Sequence, residues 1–240
     1  MDSFFKIALL IDYDNLSPKQ KAAGILDLAT GVLLRVVKDI NNDRAKCEVR
    51  IYGGWYEGAE ITRLAQELFV QIQEDFPFLL NIPKAGDRKV AVSMTAELAV
   101  ALLEEPAHHL FNTFRQKGKP ANLRVREPQE IGCTNEACIL PLVRKVVSSG
   151  KCPVDACVVE AENLVYRNEQ KIVDAMLTCD LLFVAATNDM TILISSDDDF
   201  LPPLRIALLR GANVVRCHPN QNNTRAVFPT IGRQLIELDL

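Results

Sequence analysis

Two short apolar segments, each followed directly by acidic residues, constrain the fold of this 240-residue chain most strongly. Residues 6–12 are nearly all apolar, and so are residues 190–194. A strand without polar alternation needs cover on both faces, as the central strands of parallel sheets have. Amphipathic helical patterns alternate with such strands along the chain. These features predict an α/β fold with a Rossmann-like parallel sheet and helices on both faces.

The strand and helix patterns are regular at both ends of the chain and irregular in the middle. Residues 5–75 predict strand, helix, strand and helix in succession, and the same alternation resumes over residues 158–218. Residues 76–157 lack this regularity, although residues 94–103 have the apolar spacing of a helix. We therefore predict a single domain over residues 1–240, with its core in the two regular segments and an insertion between them.

Composition and charge exclude several classes of protein. No apolar run approaches the length that spans a bilayer, and the first residues lack a signal-peptide pattern, so we expect a cytoplasmic protein without a membrane contact. The formal net charge of −4 argues against strong non-specific binding to nucleic acid. Such a contact would have to come from basic residues of the insertion, although ordinary solvated charges give the same pattern. The predicted contact residues are Arg88, Lys89, Arg124 and Arg126.

Seven cysteines in a chain without an export signal indicate reduced thiols rather than a disulfide framework. Four of them form two pairs with one spacing, Cys133-x4-Cys138 and Cys152-x4-Cys157. Two loops that each donate two thiolates can close a tetrahedral site, which predicts structural Zn²⁺. Cysteines that serve as small buried apolar residues are the alternative. The remaining three are expected in the core: Cys47, Cys179 and Cys217.

Polar side chains follow both apolar strands at the point where each ends. Asp12 and Asn15 follow the first strand, and Asp197 and Asp199 follow the second. The carboxyl ends of parallel strands lie at one edge of a sheet, so we expect these side chains to converge there. Converging carboxylates repel one another unless a cation compensates them, and oxygen ligands suit a hard divalent ion such as Mg²⁺. A polar cap on a solvated loop would also explain the acids after the second strand.

A third acidic contribution is expected from Asp174, which lies near the start of a predicted helix three residues after Lys171. Asp180 lies six residues further along, which does not place it on the same face of that helix. It is therefore the weaker candidate as a metal ligand. Within the acidic run after the second apolar strand, Asp198 is expected to face away from the site.

Three motifs in this order resemble those of the NYN domain, a branch of the PIN-like metal-dependent ribonucleases. They are Asp12-Tyr-Asp-Asn15, Lys171-Ile-Val-Asp174-x-x-Leu177-x-x-Asp180 and Ser195-Ser-Asp197-Asp-Asp199-Phe200-x-Pro202. The first is similar to the family's Asp-x-x-Asn and the last to its Ser-Gly-Asp-x-Asp-Phe-x-Pro. Ser196 replaces the usual glycine, and Asp198 stands where small residues are usual. The resemblance covers the two regular segments and leaves the middle of the chain unexplained.

The resemblance implies a hydrolase that cleaves RNA phosphodiester bonds with the help of Mg²⁺ or Mn²⁺. It also implies the ligands of one or two such ions: Asp12, Asp174, Asp197 and Asp199. Supporting roles follow for three more residues. Asn15 would position water or metal, Ser195 would orient a carboxylate or contact phosphate, and Lys171 would neutralise the scissile phosphate. The sequence does not determine the RNA species, whether DNA is cut, or the oligomeric state.

Two other functions agree with part of the same pattern. An apolar strand that ends in Asp-x-Asp also occurs in phosphatases of the haloacid dehalogenase type, in which Asp12 would be the nucleophile and Asp14 the general acid and base. That alternative leaves the later motifs unexplained. A second alternative is a module with the same fold that binds RNA or a protein without catalysis, because the presence of acidic residues does not prove turnover.

Overall fold

The computed structural model describes residues 4–84, 88–118, 123, 125–135, 137–219, 225–226, 228 and 233–240. The chain divides into two compact units. The first, which we call the main unit, consists of residues 1–113 and 171–240. The second, the inserted unit, consists of residues 114–170.

The described strands are, in chain order, β1 (Phe5–Asp12), β2 (Arg44–Tyr52), β3 (Tyr56–Glu57), β4 (Glu60–Ile61), β5 (Phe78–Pro83), β6 (Lys89–Leu98), β7 (Phe114–Gly118), β8 (Tyr166–Gln170), β9 (Met190–Ile194), β10 (Val214–His218) and β11 (Ile236–Asp239). The α-helices are α1 (Pro18–Ala23), α2 (Ile25–Val36), α3 (Arg63–Asp75), α4 (Leu140–Ser149), α5 (Ala161–Leu164), α6 (Val173–Thr187) and α7 (Leu201–Leu209). Short 3-10 turns lie at Tyr13–Asn15, Val37–Asp39, Pro128–Ile131 and Asp198–Phe200.

A mixed sheet of seven strands forms the centre of the main unit, in the order β11-β10-β9-β1-β2-β6-β5. All neighbours are parallel except β5, which runs antiparallel to β6. The chain continues from β1 to β2 on one side and returns through β9 on the other side. The order of strands therefore reverses beside β1, and the crevice at the carboxyl ends of β1 and β9 is where ligands of such sheets bind.

Helices cover both faces of this sheet. Ile7, Leu9 and Ile11 of β1 pack in an apolar cluster with α2 and α3, whereas Ala8 and Leu10 pack in a second cluster with α6 and α7. Successive side chains of a strand point to opposite faces, which is why β1 is apolar at every one of these positions. Full burial of a large aliphatic side chain contributes about 1.5–3 kcal/mol. The end of β1 is therefore firmly held.

The α/β class and the helical cover agree with the sequence prediction, but residues 94–103 do not form a helix. They begin inside β6, where Val90, Val92 and Met94 are fully buried and their neighbours in sequence are more exposed. This alternation has the period of a strand, so the apparent helical spacing was misleading. Because β5 and β6 belong to the large sheet, the insertion begins at residue 114 rather than 76 and extends to residue 170.

The inserted unit contains an antiparallel pair, β7 with β8, and the helices α4 and α5. The helix α4 ends at Gly150, whose φ of 81° is a backbone conformation that favours glycine. Among the described residues of this unit, the buried ones are Pro128, Val147 and Ala161. Its core is therefore small. Across the described part of the whole chain, no helix is both long and apolar enough to cross a membrane.

Candidate functional site

Asp12 and Ser195 meet at the carboxyl edge of the large sheet. Ile11 of β1 is in register with Ile194 of β9. The residues that follow them, Asp12 and Ser195, therefore lie side by side at the crevice. The Ser195 hydroxyl donates a hydrogen bond to Asp12 Oδ2 at 2.8 Å, and Asn15 Nδ2 donates to the same oxygen at 2.6 Å. Asp12 is 6% exposed and Ser195 is fully buried. The structure thus brings these three predicted residues together.

The acidic loop after β9 is ordered by its own hydrogen bonds. The backbone N–H of Asp197 donates to Ser195 Oγ at 3.0 Å, and the N–H of Asp199 donates to Asp197 Oδ1 at 2.9 Å. Asp197 therefore caps the short turn at Asp198–Phe200. Phe200 is buried, and the prolines that follow it occupy the first turn of α7, where proline is tolerated. These contacts hold the acidic loop in place as one wall of the crevice.

Arg216 lies beneath this loop and is not among the predicted site residues. The side chain is fully buried in β10; its Nε donates to the carbonyl oxygen of Ser195 at 3.1 Å, and its Nη2 donates to the carbonyl oxygen of Asp197 at 2.9 Å. Nη2 also lies 3.2 Å from Asp198 Oδ1. Asp198 is thus turned toward Arg216. A charged residue inside an apolar strand was the available signal in the sequence.

Asp174 lies in the first turn of α6, a helix that begins immediately after a strained residue. Ile172 has a φ of 59°, which is unusual for a β-branched side chain. Partial loss of solvent raises the pKa of Asp174, and repulsion from Asp197 and Asp199 raises it further. Such repulsion acts between carboxylates that are near one another without being in contact, so it indicates that Asp174 lies in the vicinity of Asp197 and Asp199.

The pKa values show that negative charge in this cluster is poorly compensated. Burial raises the pKa of Asp12 to about 6, against the hydrogen bonds from Ser195 and Asn15, and repulsion from Asp174 adds to the shift. Loss of solvent also raises the pKa of Asp14, which Lys21 partly offsets. A cation among these carboxylates would favour their charged forms.

The donor chemistry of this cluster suits a hard divalent cation, because it consists of carboxylate, hydroxyl and amide oxygens. Among the described residues, however, no three His, Cys, Asp or Glu side chains already form a group that could hold a metal ion. The acidic side chains share one crevice edge without converging on a single point. Rotation of the more exposed carboxylates, those of Asp174 and Asp199, would be required for shared coordination.

Asp180 belongs to a different, buried network. Its Oδ2 accepts a hydrogen bond from the Tyr52 hydroxyl at 2.8 Å, and its Oδ1 accepts one from the backbone N–H of Leu103 at 2.9 Å. Arg50 Nε lies 3.2 Å from Oδ2. With both oxygens engaged and the residue 1% exposed, Asp180 ties α6 to β2 rather than extending the acidic cluster.

Lys171 is partly buried, and its backbone N–H donates to the carbonyl oxygen of Thr113 at 2.9 Å. This bond fixes the backbone three residues before Asp174. The predicted role of Lys171 toward a phosphate depends on its side chain and stays a prediction.

Two of the predicted nucleic-acid contacts, Arg88 and Lys89, lie away from the acidic cluster within the main unit. Arg88 forms an ion pair with Asp43 at 2.8 Å, and Lys89 is the first residue of β6, so both lie at the amino edge of the sheet, opposite the crevice. Arg126 is exposed in the inserted unit. Arg124 lies outside the described residues.

The four paired cysteines all lie in the inserted unit as free thiols, three half-buried and Cys157 exposed. Among the described residues they form no metal-holding group, so structural zinc stays a prediction. Cys47 and Cys217 are buried, as expected, and burial raises the pKa of each thiol to about 12. Cys179 is exposed on α6, contrary to the expectation that it lies in the core.

Comparison of the chain with protein-family models, curated proteins and solved structures found no match. Function is therefore inferred from the site and from the motifs that compose it.

Proposed function

We propose that this protein is a metal-dependent nuclease of the PIN-like type that hydrolyses RNA phosphodiester bonds. One observation carries the proposal: Asp12, Asp174, Asp197 and Asp199, which come from three separate segments, share one crevice edge at the reversal of strand order. Uncompensated carboxylates at such an edge destabilise the fold unless a cation binds them. The order and spacing of the motifs that resemble the NYN domain support the same function.

These four carboxylates would hold Mg²⁺ or Mn²⁺. When bound, the ion activates a water molecule and stabilises charge on the phosphate and the leaving oxygen. Ser195 and Asn15 both donate to Oδ2 of Asp12, so they orient this carboxylate and leave Oδ1 for another partner. Lys171 would contribute positive charge near the scissile phosphate.

Arg216 completes the arrangement as a positioning residue. Its side chain donates hydrogen bonds to two backbone carbonyls of the acidic loop, and these bonds fix the position of the loop relative to β1. Positioning of this kind matters because a displacement of about 1 Å in a catalytic group can lower a rate by roughly a hundredfold.

A double variant, Asp197→Asn with Asp199→Asn, tests the proposal. Mn²⁺-dependent cleavage of single-stranded RNA should fall by at least about a hundredfold, since charge-stabilising groups contribute effects of this size. The matched control is Glu74→Gln with Asp75→Asn on α3, which removes the same charge outside the crevice. Cleavage that persists unchanged in the double variant would refute the proposal.

A phosphatase is the second candidate, because the raised pKa of Asp14 suits a general acid. The variant Asp14→Asn separates the two functions. A nuclease should retain RNA cleavage, whereas a phosphatase should lose turnover of small phosphomonoesters such as p-nitrophenyl phosphate. Binding of RNA without any turnover by the unsubstituted protein would instead favour the non-catalytic module.

A further inference from the structure

One face of the β7–β8 pair in the inserted unit concentrates positive charge around a single carboxylate. Arg115 Nη2 lies 3.2 Å from Glu169, Lys117 Nζ lies 3.4 Å from it, and Arg167 Nη2 lies 3.1 Å from it. Glu169 is the one acidic residue in the sequences of these two strands. Within these two strands, three cations therefore share Glu169 as their negative partner, and positive charge exceeds negative charge.

The strand register makes this excess costly for folding. Arg115 is directly opposite Glu169, but Lys117 is directly opposite Arg167. Like charges at directly opposed positions of an antiparallel pair are destabilising. The side chains of the three cations are 35%, 47% and 44% exposed, and ion pairs at such surfaces contribute at most about 1 kcal/mol. Stability of the pair gives no reason for the second and third cation.

We propose that this face, formed by Arg115, Lys117 and Arg167, binds the phosphate backbone of single-stranded RNA. The choice of RNA rests on the proposed nuclease function. The cations recur at every second residue along β7 and continue across to β8, so they form a strip rather than a point. A strip of this kind suits an extended polyanion, and the guanidinium groups of arginine can bind phosphate with two hydrogen bonds.

The net charge of the chain does not prevent this contact. Charges are screened over about 8–10 Å at physiological ionic strength, so a bound strand experiences mainly the local field. The formal charge of −4 belongs to the chain as a whole, whereas the β7–β8 face is cationic. Of the contact residues first predicted, Arg88 and Lys89 do not belong to this face.

Binding of a fluorescent single-stranded RNA oligonucleotide in EDTA tests this proposal without cleavage. Lys117→Ala with Arg167→Ala should raise the Kd at least tenfold at 50 mM salt. The slope of log Kd against log salt should fall by roughly 1.4, since each lost phosphate contact on a single strand accounts for about 0.7. The single variant Glu169→Gln should tighten binding several-fold, because it removes the competing carboxylate.

The control is Lys46→Ala with Arg63→Ala, which removes two exposed cations of the main unit and should leave Kd and slope unchanged. Circular dichroism establishes that each variant is folded. An unchanged Kd and slope in the Lys117 and Arg167 variant would overturn the proposal. Binding of fluorescent polyglutamate by a protein that does not bind the RNA would also overturn it, and would assign the face to an acidic protein.

The outcome is independent of the nuclease test. If RNA binds through this face but Mn²⁺ supports no cleavage, the nuclease function fails and the binding surface stands. If cleavage requires Asp197 and Asp199 but RNA binding is unchanged by substitution of Lys117 and Arg167, the nuclease function stands and the proposed binding surface fails.

Discussion

The main unit and the inserted unit differ in how their polar residues are held. In the main unit, Asp12 ends β1 and Ser195 follows β9, two strands whose side chains are almost wholly buried, and each has defined hydrogen-bond partners. In the inserted unit, large apolar side chains remain exposed, including Ile139 at 71% and Val158 at 91%. The main unit therefore has the rigid support that catalysis requires, while the inserted unit does not draw comparable stability from a core.

This difference suits the two proposed roles. Hydrolysis needs functional groups placed within a fraction of an ångström, which a buried sheet edge can provide. Binding of a phosphate backbone requires less exact placement, because electrostatic attraction acts over several ångströms and does not depend on a single geometry. Substitutions in the main unit should accordingly have large effects, and those in the inserted unit smaller ones.

The largest effect is expected from Arg216→Met. The substitution leaves the carbonyl oxygens of Ser195 and Asp197 without their buried donor, and we expect a loss of about 3 kcal/mol in the free energy of unfolding. Cleavage should fall about a hundredfold as the acidic loop shifts. Urea denaturation and Mn²⁺ titration of the cleavage rate would measure both effects.

Arg210→Met, on the surface of the same unit, is the matched control and should be neutral. Arg216→Lys should recover part of the stability and part of the apparent Mn²⁺ affinity. A folded Arg216→Met protein with unchanged affinity for Mn²⁺ would show that the loop does not depend on this side chain, and would remove the contrast between the two units.

Asp12→Asn should have a smaller effect on stability and one of opposite sign. The pKa of Asp12 is raised to about 6 in the folded protein, so the folded state binds more protons than the unfolded state between about pH 4 and pH 6. Stability therefore falls as pH rises through this window. At pH 7 the variant should be more stable by about 1–3 kcal/mol, although inactive.

Thermal melts between pH 4 and pH 8 in EDTA would measure this effect, with Asp27→Asn on α2 as the control. The variant should lose the decline in stability between pH 4 and pH 6. Mn²⁺ should raise the Tm of the unsubstituted protein more than that of the variant. If Tm depended on pH in the same way for both proteins, the ionised Asp12 carboxylate would not destabilise the folded state.

The smallest effect on the main unit is expected from the predicted zinc ligands. If zinc joins the four paired cysteines, Cys138→Ser should lower the zinc content well below one ion per chain and loosen the inserted unit. The exposed Cys179 provides the control, since Cys179→Ser should change neither. Elemental analysis together with limited proteolysis would report both quantities. Zinc far below one ion per chain in the unsubstituted protein would refute the prediction.

Strands buried on both faces were predictable from the sequence because they need no partner to be recognised. β1 and β9 are apolar at nearly every position, so their composition alone identifies them. β6 was missed because one face is polar, with Thr95 and Glu97 between apolar residues. The alternation of apolar and polar residues in β6 is short, and the apolar residues of positions 94–103 also fit a helical spacing.

The amino-acid sequence alone shows that acidic residues follow two buried strands and that a third acid begins a helix. Which of these side chains share an edge depends on how the strands are ordered in the folded protein. The hydrogen bond between Asp12 and Ser195 joins residues 183 positions apart, and it exists because β1 and β9 are neighbours in the sheet. The same order of strands places Arg216 under the acidic loop and engages Asp180 elsewhere. Local patterns contain no information about such pairings, since they depend on how distant segments pack.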